Sequence, residues 1–286
     1  MKKEFARRLP GVGKWVRALE ELEVKYARLK EQRDELKIDL AEVHAQLSPY
    51  LRERNEREAE LHKLECSSPI PPENLRLRVH GSGDEASFLS VGREMAAEIK
   101  RVIAEEGLAL ESFERVLDFG CGCGRILRCL GPHSGFFATD LDPEAIAWCQ
   151  ANLSDLATFE VNGDRPPLTH KSDTFDFVYA ISVFTHLPED LEQLWLEELR
   201  RVTRPGGTLL LTVHGERLFR RVPWAARAEL QERGFCYSHC GSTEGLPDYY
   251  QTSFHREDYI RREWSKFFKI KRIASLVGQD AVICGK

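Results

Sequence analysis

Residues 115–127 read RVLDFGCGCGRIL. A short apolar run ends near Asp118, and Gly120, Gly122 and Gly124 alternate with Cys121 and Cys123 before a helix-like segment begins. Glycines at a strand-to-helix turn let the backbone bend sharply and let a ligand approach it closely. The sequence around this turn repeats the same alternation. Residues 85–107 form an amphipathic helical pattern with a glycine stop, and GFFATDL (135–141) reads as a strand. DPEAIAWCQANL (142–153) reads as a helix capped by Asp142, with Pro143 at its first position. ATFEV, TFDFVYAIS and GTLLLTVH read as strands, with a helix over EDLEQLWLEELRRV (189–202). Strands alternating with helices imply a mostly parallel sheet covered on both faces, with ligands at the carboxyl ends of its strands. KFFKIKRI and DAVICGK close the chain as two strands separated by too few residues for a parallel crossover, so they must pair antiparallel.

The first part of the chain is of another kind. Val12, Trp15, Leu19, Leu22, Tyr26, Leu29, Arg33, Leu36, Leu40, Val43, Leu47 and Tyr50 follow one another at spacings of three and four. That is a heptad seam of about five heptads, with Arg33 its one polar member. It predicts a coiled coil over residues 1–66 and self-association through it. Ser48-Pro49 marks either a new helix start or a kink. CSSPIPPENL (66–75) opens a linker over 67–79.

Composition narrows the function classes. The net charge of −5 argues against a general nucleic-acid binder. No window reaches the roughly 18–20 apolar residues of a membrane span. The basic start MKKEFARRLP leads into no apolar stretch, so no leader is expected. The eight cysteines follow no secreted framework and read as reduced thiols of a cytoplasmic protein. CYSHC (236–240) is too compressed for a metal site, and no metal is expected.

The glycine loop departs from the dinucleotide fingerprint. Arg125 stands where that fingerprint needs Gly or Ala, and Asp118 would repel a diphosphate while attracting an ammonium group. Asp140, about twenty residues on, is placed to accept from ribose hydroxyls. With VLDFGCGCGR, ATDLDPEAI, VNGDRPPL, TFDFVYAISVFTHL, RRVTRPGGTLLLTVHG and the closing strand pair in this order, residues 80–286 resemble the class I S-adenosylmethionine-dependent methyltransferases. More narrowly, the chain resembles bacterial members with an N-terminal coiled coil.

The resemblance implies a Rossmann-like seven-stranded sheet, parallel with one antiparallel strand, and S-adenosyl-L-methionine as cofactor. It implies that Asp118, Gly120, Cys121, Gly122 and Gly124 hold the methionine end, Asp140 the ribose, and Leu141 the adenine. Asn162, Gly163 and Asp164 would lie near the adenine amino group, and Ile181 and Ser182 beside the transferring methyl. His214, His186 and His255 are the candidate general bases, His214 first because it follows the strand-5 end. Arg217, Arg220, Arg221, Trp224, Tyr249 and Tyr250 fall in an insertion, about 215–250, expected to cover the substrate. The implied reaction is methyl transfer to a small-molecule, sugar or glycan acceptor, on oxygen or nitrogen. A protein or RNA methyltransferase, and a non-catalytic scaffold with a ligand-binding domain, stay open as alternatives.

Overall fold

The computed structural model describes residues 12–65, 68–131, 133–239 and 245–286. The chain divides into two compact units, residues 1–57 and 58–286. Helix α1 runs Val12–Glu65 and passes through Pro49 without ending, so of the two sequence readings at Ser48-Pro49 the continuous helix is the one observed. Its seam is uncovered within the chain, from 49% exposed at Val43 to 77% at Trp15. The side chain of Val12, the first seam position, lies outside the described residues.

In the second unit, residues 73–79, expected within the linker, are instead part of helix α2 (Glu73–His80). Leu75 explains why: it is buried with Phe88, Leu89, Cys123 and Ala145, so this segment belongs to the packed domain. Gly81 in the left-handed conformation ends α2, its N–H donating to the Leu77 carbonyl. Residues 66 and 67 lie outside the described residues.

Helix α3 (Glu85–Glu105) follows, its first turn held by Asp84, whose side chain accepts from the Ser87 N–H. The sheet and its helices then come in the order β1 (Val116–Phe119), α4 (Leu127–Leu130), β2 (Phe136–Asp140), α5 (Pro143–Asn152), β3 (Thr158–Val161), β4 (Phe175–Ala180), α6 (Glu189–Val202) and β5 (Thr203–Val213). Next come α7 (Trp224–Arg233), β6 (Phe235–Ser238), β7 (Thr252–His255), α8 (Glu257–Glu263), β8 (Lys269–Leu276) and β9 (Gln279–Gly285). Asp142 caps α5 as its sequence predicts, accepting from the Glu144 and Ala145 N–H groups, with Pro143 in the first turn.

The seven-stranded sheet has the order β3-β2-β1-β4-β5-β9-β8. Strands β1 to β5 pair in parallel, and β9 lies antiparallel between β5 and β8. This is the Rossmann-like topology that the resemblance implies, with β9 as the single reversed strand. Successive residues face opposite layers. Val116, Phe177, Tyr179 and Leu210 join the layer packed on α3, α4 and α5, while Leu117, Val178, Ala180, Leu209 and Leu211 join the layer with α6 and α8. The strand order reverses between β1 and β4, which opens a crevice at their carboxyl ends. Strands β6 and β7 form a separate antiparallel pair. Among the described residues no helix is long and apolar enough to cross a membrane.

Candidate active site

A pocket opens at that crevice, with an empty space of about 950 Å³, its mouth included. Residues just beyond β1, β2, β3 and β4 form its floor. Of the residues named from sequence, Asp118, Gly120, Cys121, Gly122, Asp140, Leu141, Asn162, Gly163, Asp164, Ile181 and Ser182 all line it. Gly124 does not: it turns its Cα toward the α5 side, where an added Cβ would stand 2.6 Å from Leu153 Cδ1.

The three glycines share a left-handed backbone, with φ of 83°, 54° and 73° at Gly120, Gly122 and Gly124. A Cβ at Gly120 would also stand 2.3 Å from Val183, and one at Gly122 2.6 Å from Val79 of α2. The Gly122 N–H donates to Asp140 Oδ2 at 2.7 Å, and the Asp142 N–H donates to Asp140 Oδ1 at 2.9 Å. One carboxylate therefore ties the glycine loop to the end of β2. Across the pocket Ser182 is also left-handed, at φ 62°, where a non-glycine residue is strained. It is clamped by Thr212 Oγ1, which accepts from its N–H, by Gln279, which donates to its hydroxyl, and by Tyr250, whose hydroxyl donates to its carbonyl.

The charges are arranged unusually. Burial pushes the Asp118 carboxyl up to about 7. The adjacent Tyr179 hydroxyl, which lacks full hydrogen-bond geometry to any partner, opposes the shift, and the Asp140 charge adds to it. Asp140 is raised too, by burial first, although it is partly open to the pocket. The thiols do not supply chemistry here. Burial drives Cys121 and Cys149 well above the ordinary thiol range and Cys123 to about 12, so all three are inert packing groups. A pocket with two acidic groups that want a counter-charge, beside a backbone loop open to close approach, fits a cationic amino-acid end and a ribose.

A family model described as a methyltransferase domain matches residues 116–207, from the start of β1 into β5. That stretch is a methyltransferase domain. Among curated relatives, the chain is similar to a probable phthiotriol/phenolphthiotriol dimycocerosates methyltransferase of Mycobacterium ulcerans, at 36% identity over 34% of this chain and 38% of that one. It is similar also to the sterol 24-C-methyltransferase of Saccharomyces cerevisiae, at 34% identity over 45% of this chain and 35% of that one. The chain thus spans little more than a third of these relatives' length. Among solved structures it is similar to an S-adenosylmethionine-dependent methyltransferase of Methanosarcina mazei, with a TM-score of 0.49 and 23% identity, covering 64% of this chain and 96% of that one.

None of the three histidines lines the pocket of this methyltransferase domain. His255 is fully buried and donates from Nε2 to Glu192 at 2.5 Å; Glu192 also accepts from Tyr259 and Trp264. Such a buried carboxylate hub ties β7 to α6 and α8, outside the pocket at the strand-order reversal. His186 and His214 sit one layer behind the pocket. His186 stacks on Tyr250 at 4.2 Å between ring centroids and donates from Nδ1 to the Gln251 carbonyl. His214 donates from Nδ1 to the Ser253 carbonyl, and burial, aided by His186, pushes its pKa down to about 4.

The insertion divides in two. Leu246, Tyr249 and Tyr250, at its end, line the pocket. Arg217 is turned away into an ion pair with Asp280, and Trp224 is 85% exposed, so these two do not cover the pocket. Arg220 and Arg221 also stand outside the lining. Cys240 and residues 241–244 lie outside the described residues. Sequence reasoning missed Arg78, Val79, Arg125 and Trp195, all of which line the pocket. Only Arg125 carried a signal, as the residue that broke the dinucleotide fingerprint.

Proposed function

We propose that the chain transfers a methyl group from S-adenosyl-L-methionine to a small-molecule acceptor. The observation that carries this reading is the pocket at the strand-order reversal, where buried Asp118 and half-buried Asp140 meet a left-handed glycine loop. Asp118 would hold the ammonium group of the cofactor, and Asp140 and the Gly122 backbone its ribose side. Ile181 and strained Ser182 would flank the reacting centre. The cofactor supplies an electrophilic methyl group on a sulfonium, so the protein's task is alignment and exclusion of water. Tyr249 and Tyr250 would serve that task by closing the pocket over the acceptor. The named sterol and dimycocerosate relatives support a lipophilic small-molecule acceptor rather than a sugar. His214 is a weak candidate for a general base, because burial holds its pKa down at about 4 and so disfavours the protonated ring.

Titration calorimetry with S-adenosylhomocysteine tests the reading: binding in wild type, with at least about a tenfold loss in Asp140→Ala, is expected. No heat of binding with either ligand of the methyl-transfer pair would refute it. We propose further that residues 12–57 pair with a second copy of the chain, supported by the exposed heptad seam. Sedimentation of the chain lacking residues 1–66 should then show a smaller species than the full chain; an unchanged state refutes pairing. The described cysteines are all free, which supports a reducing, cytoplasmic setting.

A further inference from the structure

The start of the insertion after β5 carries charge that the pocket does not use. Residues 216–228 hold four arginines and one carboxylate, Glu216, in a chain whose net charge is −5. Arg217 is paired with Asp280. Arg220, Arg221 and Arg227 are exposed, and among the described residues no carboxylate pairs with any of them. Arg227 makes one hydrogen bond, from Nε to the Val222 carbonyl at 3.1 Å. None of the three lines the pocket at the strand-order reversal. Beside them Trp224 is 85% exposed, and Ala225 and Ala228 on the same helix are exposed as well. The first turn of α7 holds no acidic residue to offset the arginines.

The arginines border a groove. Glu216–Arg221 is a short 3-10 helix whose Leu218 and Phe219 pack inward on a cluster of Val222, Leu230, Cys236 and Phe254. Next to it lies an open groove with an empty space of about 930 Å³, its mouth included. Phe219, Val222 and Leu230 give it an apolar floor, and Arg220, Arg227 and Arg256 also line it. Of these arginines only Arg256 has a carboxylate partner, Asp258 at 3.1 Å, and no acidic residue lines the groove. Guanidinium groups over an apolar floor match a phosphate headgroup carried on an apolar chain. An exposed indole beside them suits the same setting, because its ring lies well at the boundary between headgroups and chains. A nucleic acid would meet the same charges, but Val222 and Leu230 offer its base edges no hydrogen bond.

We propose that residues 216–231 form a docking surface for the anionic face of a lipid membrane, with Trp224 entering the headgroup layer and Arg220, Arg221 and Arg227 binding lipid phosphates. The association is peripheral, since among the described residues no helix is long and apolar enough to cross a membrane. The insertion that begins with this surface ends in Leu246, Tyr249 and Tyr250, which line the pocket. One segment thus carries the membrane contact at its start and part of the pocket wall at its end. A lipophilic acceptor drawn from the bilayer is the substrate such a surface would serve. That role in supply rests on the methyltransferase reading above; the docking itself stands on the surface alone.

The test is co-sedimentation of the full chain with vesicles of phosphatidylcholine alone and of phosphatidylcholine with about one-third phosphatidylglycerol. Wild type should bind the anionic vesicles at least about tenfold more strongly and be released when salt is raised to about 0.5 M. An arginine near an anionic surface contributes about fivefold to partitioning, so Arg220→Gln with Arg221→Gln should weaken binding about 30-fold. Tryptophan emission should move to shorter wavelength on the anionic vesicles, and Trp224→Phe should remove that shift. These three side chains are exposed and outside the pocket lining, so the variants should keep native circular dichroism and wild-type affinity for S-adenosylhomocysteine. Equal binding of wild type to the neutral vesicles, or unchanged binding by the arginine variant, would overturn the proposal. So would an emission shift that persists in Trp224→Phe, which would move the contact to Trp15, an indole 77% exposed on α1. Displacement of the vesicles by single-stranded RNA at equal phosphate concentration would overturn it too, and assign the patch to nucleic acid. The vesicle readout needs neither acceptor nor turnover, so its failure is distinct from a failure of the methyltransferase reading.

Discussion

Asp118→Asn should make the ligand-free protein more stable and the cofactor site weaker. The Asp118 carboxyl is enclosed at the end of β1, and burial lifts its pKa from the ordinary 3.8 to about 7. The sign follows from linkage. In the unfolded chain the group ionises as pH rises through 3.8; in the folded chain it keeps its proton until about 7. Ionisation therefore favours the unfolded chain progressively across that window, and the loss of stability is complete above pH 7. The full penalty is about 4 kcal/mol, of which about 3 kcal/mol develops between pH 5 and 8. Asparagine fills the same space without titrating. Urea unfolding of the ligand-free proteins should thus show wild type losing about 3 kcal/mol relative to the Asn variant from pH 5 to 8; the stability that His214 and His80 add over that range, because their folded pKa values lie below the unfolded one, is common to both proteins and cancels. A cation beside Asp118 reverses the balance, so wild type should bind S-adenosylhomocysteine more tightly as pH rises toward 8. Binding at pH 6 should also release close to one proton, read from calorimetry in buffers of different ionisation heat. An Asn variant with the same pH dependence of stability as wild type would refute the argument.

Other outcomes follow from particular contacts. Gly122→Val should abolish S-adenosylhomocysteine binding, since it combines a left-handed φ with a Cβ 2.6 Å from Val79; Cys121→Ala with Cys123→Ala should keep affinity within about threefold by calorimetry. Gly92→Ala, outside the pocket lining, should weaken the same binding by pushing on the Arg125 backbone, while circular dichroism stays native. Glu192→Ala leaves His255, Tyr259 and Trp264 without their shared acceptor and should cost about 3–5 kcal/mol in urea unfolding. His255→Ala should lower stability in the same assay, yet leave turnover per folded molecule within about fivefold; a loss of turnover at unchanged stability would return His255 to the chemistry.

The amino-acid order alone determined the architecture and most of the pocket floor. Strand and helix periods are local, the glycine turn and the Asp142–Pro143 start are encoded within a few residues, and the antiparallel end follows from a connection too short for a crossover. These features are settled by backbone geometry before distant contacts form. For that reason Asp118, the glycine loop, Asp140 and the 162–164 turn all come together where the strand order reverses. The heptad seam was equally legible, because its period needs no partner in the chain to be read.

Tertiary packing decided everything that depends on which distant group becomes a neighbour. His255 and Glu192 are far apart in the chain, and nothing near His255 shows that a buried carboxylate will claim its proton. The linker expectation failed at residues 73–79 because Leu75 gains its burial from Phe88 and Cys123, contacts invisible to a proline-rich composition. Within the insertion, Arg217 is drawn to Asp280 on β9 while Tyr250, just before β7, donates to the Ser182 carbonyl. Arg125 is the sharpest case. Its sequence position marks only a broken fingerprint. Its isolation from every described carboxylate, and its fixing by His80 and Gly92, exist only once α2 and α3 have packed against the glycine loop. Charge partners and burial are properties of space rather than of spacing.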